Sequence, residues 1–221
     1  MEKLIRDSYI YSLKENKNTF DVLEYNISNI YNKPCTNLYE LRQKANNKKE
    51  KGDLFEEFCK IYLISLKKYN NVWLLKDVPN DILNKLGLKR VDMGIDIICN
   101  KEEEYYAYQV KFRKNNGKKR ILSWKTVSTF YALCFNTGPW KNCYVITNCD
   151  YVKHGTNNFK QRSICLQTFR NISNDLWIKM YSNLNSELNT NDDNKKETEN
   201  MQENININLD ELRKARLKRF S

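Results

Sequence analysis

Histidine is almost missing from this chain: among 221 residues only His154 is found. The seven cysteines, at positions 35, 59, 99, 134, 143, 149 and 165, are odd in number and contain no C-x-x-C pair. Both absences argue against a structural zinc site, and the cysteines read as reduced core residues. No apolar run approaches the length of a membrane span, so no membrane segment is expected. The opening stretch MEKLIRDSYIYSLKENK lacks the apolar centre and small-residue cleavage site of a secretory signal, which places the expected site of action inside a cell, in nucleus or cytoplasm. There is no internal repeat.

What the chain does have is aromatic content and positive charge. With 40% hydrophobic residues, 14 Tyr, 9 Phe and 4 Trp, it can bury a sizeable core. Its formal net charge is +11. Asn185–Asn208 carries six acids against two lysines, and Leu209–Ser221 five bases against two acids, so the positive excess resides in the body of the chain. A basic body favours nucleic acid as partner, although a composition rich in Lys, Asn, Ile and Tyr also yields a lysine-rich surface with no partner at all.

Hydrophobic periodicity divides the chain into four parts: an N-terminal helical extension (1–50), a folded domain (51–184), a polar Asn-rich linker expected to be disordered (185–208), and a basic helix or tail (209–221). In the extension, Thr19 is positioned to cap a helix bearing Phe20, Leu23, Ile27 and Ile30, and Asn37 with Glu40 resembles a capping box. Phe55, Phe58, Cys59, Tyr62, Leu66 and Tyr69 recur at helical spacing. A strand at NVWLL, a hairpin, a helix capped by Ser123 and running to Asn136, and a buried strand at CYVITN follow. SICLQTF reads as a further strand, and Ser173 with Asp175 starts a helix through Trp177, Met180 and Leu184. Trp124, Val127, Tyr131 and Phe135 are expected in the core. The fold class is α/β.

The hairpin VDMGIDIICNKEEEYYAYQVKFRK, residues 91–114, carries an acid, an amide and an amine inside apolar strands. If Lys101–Glu104 forms the loop, Asn100 faces Tyr105, Ile98 faces Ala107, Asp96 faces Gln109 and Gly94 faces Lys111. One face then collects Ile95, Ile97, Cys99, Tyr106, Tyr108, Val110 and Phe112 as core. The other gathers Asp96, Gln109 and Lys111 far from the turn, with Gly94 leaving space beside the lysine. Buried unpaired, these groups would be costly; they require each other, a metal or a ligand.

Phosphodiester hydrolysis uses such a set: oxygen ligands for a hard divalent cation and a positive charge near the nucleophile. Asp96 supplies one ligand, Gln109 a neutral carbonyl, and Lys111 a compact cation. A second acid is expected from the preceding helix, where Glu56 borders the apolar face and Glu57 falls among lysines.

GDLFEEF, DMGIDII, YQVKFR and CYVITN, in this order and spacing, resemble the catalytic domain of Mrr-type restriction endonucleases, members of the PD-(D/E)XK nuclease superfamily. The resemblance covers Gly52 to Asp150 and extends toward Leu184. It implies a restriction-endonuclease-like mixed sheet flanked by helices, with an α-β-β-β-α-β core. It implies a DNA endonuclease using Mg2+ or Mn2+, with Asp96, Gln109, Lys111 and Glu56 as the catalytic set and Asp96, Gln109, the Val110 carbonyl and Glu56 as metal ligands. Two departures stand out: Gln109 replaces the usual superfamily acid, as is common in the Mrr branch, and the glycine-rich lead-in is reduced to Asp92, Met93 and Gly94. More weight therefore falls on Glu56, with Asp92 an outer ligand or a turn residue.

Around this set, Arg113, Lys114, Lys118, Lys119, Arg120 and Lys125 are candidates for phosphate contacts. His154, alone in a polar loop, is read as inert. Many relatives in the resembling family are joined to a helicase motor or a target-reading domain, so specificity is expected from such a helicase or target-recognition partner, from the N-terminal helices, or from a homodimer that cuts both strands. The same chemistry serves Holliday-junction and repair nucleases, and the alternative in another class is a catalytically inactive nucleic-acid-binding module.

Overall fold

The computed structural model of the chain describes residues 1–29, 38–90, 94–153 and 161–188, with side chains over 1–29, 48–90, 94–153 and 161–182. Cys35, Asn37 of the capping box and the side chain of Glu40, the lead-in residue Asp92, His154, the linker beyond residue 188 and the basic tail lie outside these described positions. Met1–Ser182 forms one compact unit and Asn183–Ser221 is a second. Among the described residues no helix is long and apolar enough to cross a membrane.

Two helices open the chain, α1 (Glu2–Glu15) and α2 (Thr19–Asn29), followed by the long α3 (Leu38–Ser65). The cap of α2 is Asn18 rather than Thr19. Its Oδ1 accepts the N–H groups of Phe20 (3.0 Å) and Asp21 (3.3 Å), while the Thr19 hydroxyl pairs with Ser12 at 2.7 Å. Asn reaches back to the first free N–H groups as well as Thr does, and taking that place turns Thr19 inward. Helix α3 passes uninterrupted through residue 50, and α2 packs into the core of the same unit: Phe20 stacks on Phe169 at 4.7 Å and lies 5.7 Å from Phe58.

The sheet follows: β1 (Asn71–Leu74), the short helix α4 (Asn80–Leu86), then the hairpin β2 (Ile97–Lys101) and β3 (Glu104–Lys111). After them come β4 (Ile121–Leu122), α5 (Trp124–Asn136), β5 (Asn142–Thr147), β6 (Tyr151–Val152), β7 (Gln161–Ile164), α6 (Leu166–Arg170) and α7 (Asn174–Leu188). The main sheet has the order β1-β2-β3-β5-β7. Its first three strands are antiparallel, and β5 and β7 are added parallel to β3. A parallel neighbour needs a crossover, and α5 supplies it between β3 and β5. Strands β4 and β6 form a separate two-stranded parallel ladder.

A sheet with a parallel half is covered on both faces. One face holds Ile98, Tyr105, Ala107, Cys143 and Val145 against Val127, Phe130 and Tyr131 of α5. The opposite face carries Tyr106, Tyr108 and Tyr144, the last two stacked at 4.8 Å, with Tyr69 against them. An aromatic cluster of Phe20, Phe55, Phe58, Phe169 and Trp177 joins α2, α3, α6 and α7.

Four local expectations are corrected. Ile95 packs with the Ile98 cluster and not with Ile97, because residues 94–96 bend out of the ladder and reset the side-chain alternation. Leu66 lies beyond the end of α3 and is 38% exposed; Leu63 takes its place in the core. Phe135 is 74% exposed and Trp124 36%, since α5 buries only the stripe Val127, Phe130 and Tyr131. SICLQTF is split: β7 ends at Ile164, and Leu166 begins a helix that buries Leu166 and Phe169.

Candidate active site

The hairpin register has Ile98 opposite Ala107 and Asn100 opposite Tyr105, closed by a tighter turn than expected, Glu102–Glu103, with Lys101 paired to Glu104. The ladder stops at Ile97, opposite Tyr108. One residue further, the Asp96 N–H still donates to the Tyr108 carbonyl at 2.8 Å, but Asp96 has no partner residue in the ladder. Its side chain substitutes instead: Oδ2 accepts the Val110 N–H at 2.5 Å. The chain then leaves toward β1, with the Asp96 carbonyl accepting the Leu75 N–H at 2.9 Å. Asp96 is therefore fixed at the point where β2 parts from β3, and it is 8% exposed.

In a strand, the N–H and C=O of one residue point to the same edge. The Val110 N–H meets Asp96, so the Val110 carbonyl faces the same gap. Gln109, 3% exposed, lies on the α5 side of β3, and its Oε1 is buried without a hydrogen-bond partner. An amide oxygen in that state is costly unless something else engages it. Gly94 is what makes room for Gln109: a Cβ at Gly94 would stand 3.1 Å from Gln109 Nε2 and 3.6 Å from the Phe130 backbone. Its φ of +108° is a conformation open to glycine and hardly to other residues. The space at Gly94 thus serves Gln109 and not Lys111, as the bend at 94–96 dictates.

Lys111 is the last residue of β3 and is half-buried. Its carbonyl accepts the Thr147 hydroxyl at 2.7 Å, which ties the end of β3 to the end of β5. On α3, Phe55, Phe58 and Cys59 are fully buried and Glu56 is half-buried beside them. The Cys59 thiol is pushed well above its usual range, first by burial and then by the negative charges of Glu56 and Asp96, so both carboxylates stand around one thiol. Glu57 points elsewhere, 3.4 Å from Lys76 at the surface.

Of the six proposed phosphate contacts, Arg113, Lys114, Lys118, Lys119 and Lys125 are exposed. Lys119 lies 5.3 Å from the centre of the Tyr151 ring. Arg120 is the exception: it is 9% exposed, and its guanidinium is paired with Glu24. A buried carboxylate engages the charge that was assigned to phosphate. Glu24 and Asn148, another of its partners, are polar residues that periodicity passed over. The signal was there, since Glu24 sits on the same stripe as Phe20, Leu23 and Ile27, and Asn148 ends an apolar run.

Among the described residues, no three His, Cys, Asp or Glu side chains gather as a metal-holding group. Around the end of β2 the oxygen atoms are of mixed kind: the Asp96 carboxylate, the Val110 carbonyl of its anchoring residue, and Glu56 beside the same thiol on α3, with the Gln109 amide on the α5 side of β3.

Residues 64–218 match the sequence model of a restriction endonuclease family, the Mrr-type catalytic domain. The match includes Asp96, Gln109 and Lys111 and leaves out Glu56 and the first two helices. No curated protein and no solved structure matches the chain. With the greater part of its length matched, and with the mixed sheet and flanking helices that its motifs imply, the chain belongs to the restriction endonuclease family.

Proposed function

We propose that this protein is a metal-dependent endodeoxyribonuclease whose site is the gap between β2 and β3. One observation carries the reading: Asp96, buried where β2 parts from β3, is anchored through Oδ2 on the N–H of Val110, the residue between Gln109 and Lys111. An all-oxygen set of one carboxylate, one amide and one carbonyl, with Glu56 as a second acid, fits a hard cation such as Mg2+ or Mn2+ better than a soft one. When bound, the cation supplies neutralisation of phosphate charge and a lowered pKa for water.

The protein's own residues do the rest. Asp96 is prevented from swinging away by its bond to the β3 backbone, which holds its carboxylate at the gap without a search over rotamers. Lys111, two residues beyond Gln109 on the same face of β3, places a positive charge where negative charge develops during phosphoryl hydrolysis. The tie from Thr147 to the Lys111 carbonyl fixes the backbone from which that charge projects. Arg113, Lys114, Lys118, Lys119 and Lys125 attract the phosphate backbone regardless of sequence.

The test is incubation of the purified chain with supercoiled, linear, single-stranded and branched DNA, and with RNA, in Mg2+, Mn2+ or EDTA. Cleavage of DNA that needs the cation and disappears in Asp96→Asn supports the proposal. DNA binding with no cleavage under any cation would instead mark a silent binding module, and preference for branched DNA a junction or repair enzyme.

A further inference from the structure

Among the described residues away from the gap, the carboxylate of Glu24, 2% exposed on α2, has three hydrogen-bond partners from distant parts of the chain. Its Oε1 accepts from the Arg120 guanidinium and, at 2.5 Å, from Asn148 Nδ2; its Oε2 accepts from Asn115 Nδ2 at 3.2 Å. Asn115 follows the exit of β3, Arg120 directly precedes β4, and Asn148 follows the end of β5. Asn148 in turn holds the Arg113 peptide at two points, with Oδ1 accepting the Arg113 N–H at 2.7 Å and Nδ2 donating to the Arg113 carbonyl at 2.6 Å. Arg120 donates to the same carbonyl at 3.0 Å.

This arrangement has a direction. A carboxylate only accepts, so Glu24 fixes which end of the Asn148 amide faces it: Nδ2 must turn to Glu24, which leaves Oδ1 for the Arg113 N–H. The clip on Arg113 sits two residues beyond Lys111, and the adjacent Thr147 holds the Lys111 carbonyl itself. Two consecutive residues of β5's end thus set the path of the chain that carries Lys111, and a helix outside the family match sets one of them.

We infer that Glu24 is a positioning residue for phosphodiester cleavage, acting through Asn148 and Arg120 on the exit of β3; this rests on the nuclease reading above. The N-terminal helices are then part of the working enzyme and not only a scaffold for it. Glu24 acts through the segment 111–120, so its effect falls on turnover through Lys111 and, to a smaller degree, on DNA affinity through Arg113 and Lys114.

The experiment compares the full-length wild type, Glu24→Gln, and the charge-free pair Glu24→Met with Arg120→Met. Measured for each are melting temperature, DNA affinity in EDTA, kcat and KM with Mg2+, and amide hydrogen exchange of residues 111–115 against the hairpin segment 97–101. Glu24→Gln is expected to lower kcat by ~10- to 100-fold, the size of effect a small misplacement produces, with a loss of DNA affinity that is several-fold smaller than the loss in kcat. Replacing a buried pair by apolar residues recovers much of the stability lost on breaking it. The paired variant is therefore expected to melt near the wild type and still turn over slowly, with faster exchange at 111–115 only. Recovery of kcat together with stability would reduce Glu24 to a structural role and overturn the inference. A wild type that cleaves nothing would sink the nuclease reading by itself. The exchange data would then decide whether Glu24 orders the β3 exit, and unchanged protection at 111–115 would overturn that too.

Discussion

Asp96 Oδ2 accepts the backbone N–H of Val110 at 2.5 Å, so a side chain occupies the place in the hairpin that the next strand residue would have taken. The bond both ends the β2–β3 ladder and fixes an acid at its end. Asp96→Asn keeps an acceptor for that N–H and removes the charge. It is expected to retain the fold and lose ~100-fold or more in cleavage rate, the scale seen when a transition-state electrostatic group is lost. Lys111→Ala should lose a similar factor but still bind the cation. Full cleavage by either variant, with a clean preparation, would remove the proposed site.

The two adjacent acids of α3 are expected to separate. Glu56 is half-buried beside Cys59, whereas Glu57 is a surface partner of Lys76. Exposed pairs of that kind contribute ~0–1 kcal/mol, so Glu57→Gln should be nearly silent in both stability and rate. Glu56→Gln should reduce cation-dependent cleavage, and Gln109→Glu, which adds an acid at the gap, should partly rescue it. Equal, near-normal rates for the two glutamate variants would strike Glu56 from the site.

Gly94→Ala tests the space around Gln109. The new Cβ would meet Gln109 Nε2 at 3.1 Å, on a backbone with φ +108°. Strain of this type costs on the order of 1–3 kcal/mol. A lowered melting temperature together with weakened cation dependence is expected; a variant that melts and cleaves like wild type would show that the bend relaxes freely.

Phe20→Ala addresses the standing of the N-terminal helices. The ring is 1% exposed and packs on Phe58 and Phe169, and truncating a buried phenylalanine costs roughly 3–5 kcal/mol. Chemical denaturation should show a loss of that size in the whole unit. A negligible change would mean that α2 folds apart from the sheet.

Stability should fall on the alkaline side. Burial raises the thiols of Cys59 and Cys99 above the ordinary value, and burial together with the Glu104 carboxylate pushes the Tyr106 hydroxyl up to about 12. A raised folded pKa means that the folded state keeps the proton longer than the unfolded chain. The associated stability is complete below the unfolded pKa and is lost as pH rises through the folded one. Melting temperatures recorded from about pH 8 to about pH 11 should therefore decline, and Cys59→Ala should flatten the decline. A flat profile in the unaltered chain would contradict the burial of these groups.

Local chemistry alone determined much of this protein. The alternation of Ile97, Cys99, Tyr106 and Tyr108, and the pairing of Ile98 with Ala107, follow from a side-chain period of two, which leaves a hairpin few registers that bury its apolar residues. The helical stripe Phe55, Phe58, Cys59 and Tyr62 follows from a period of 3.6, which puts Glu56 nearer to that stripe than Glu57. Only the tertiary structure decided where regular periods end. The bend at 94–96 moved Ile95 to the other core and gave the space at Gly94 to Gln109, because a residue in glycine's private region of backbone space resets the alternation. The pairing of Glu24 with Arg120 spans 96 residues of sequence, and no spacing rule links such positions. Burial has to bring the two charges out of water together before either has a reason to choose the other.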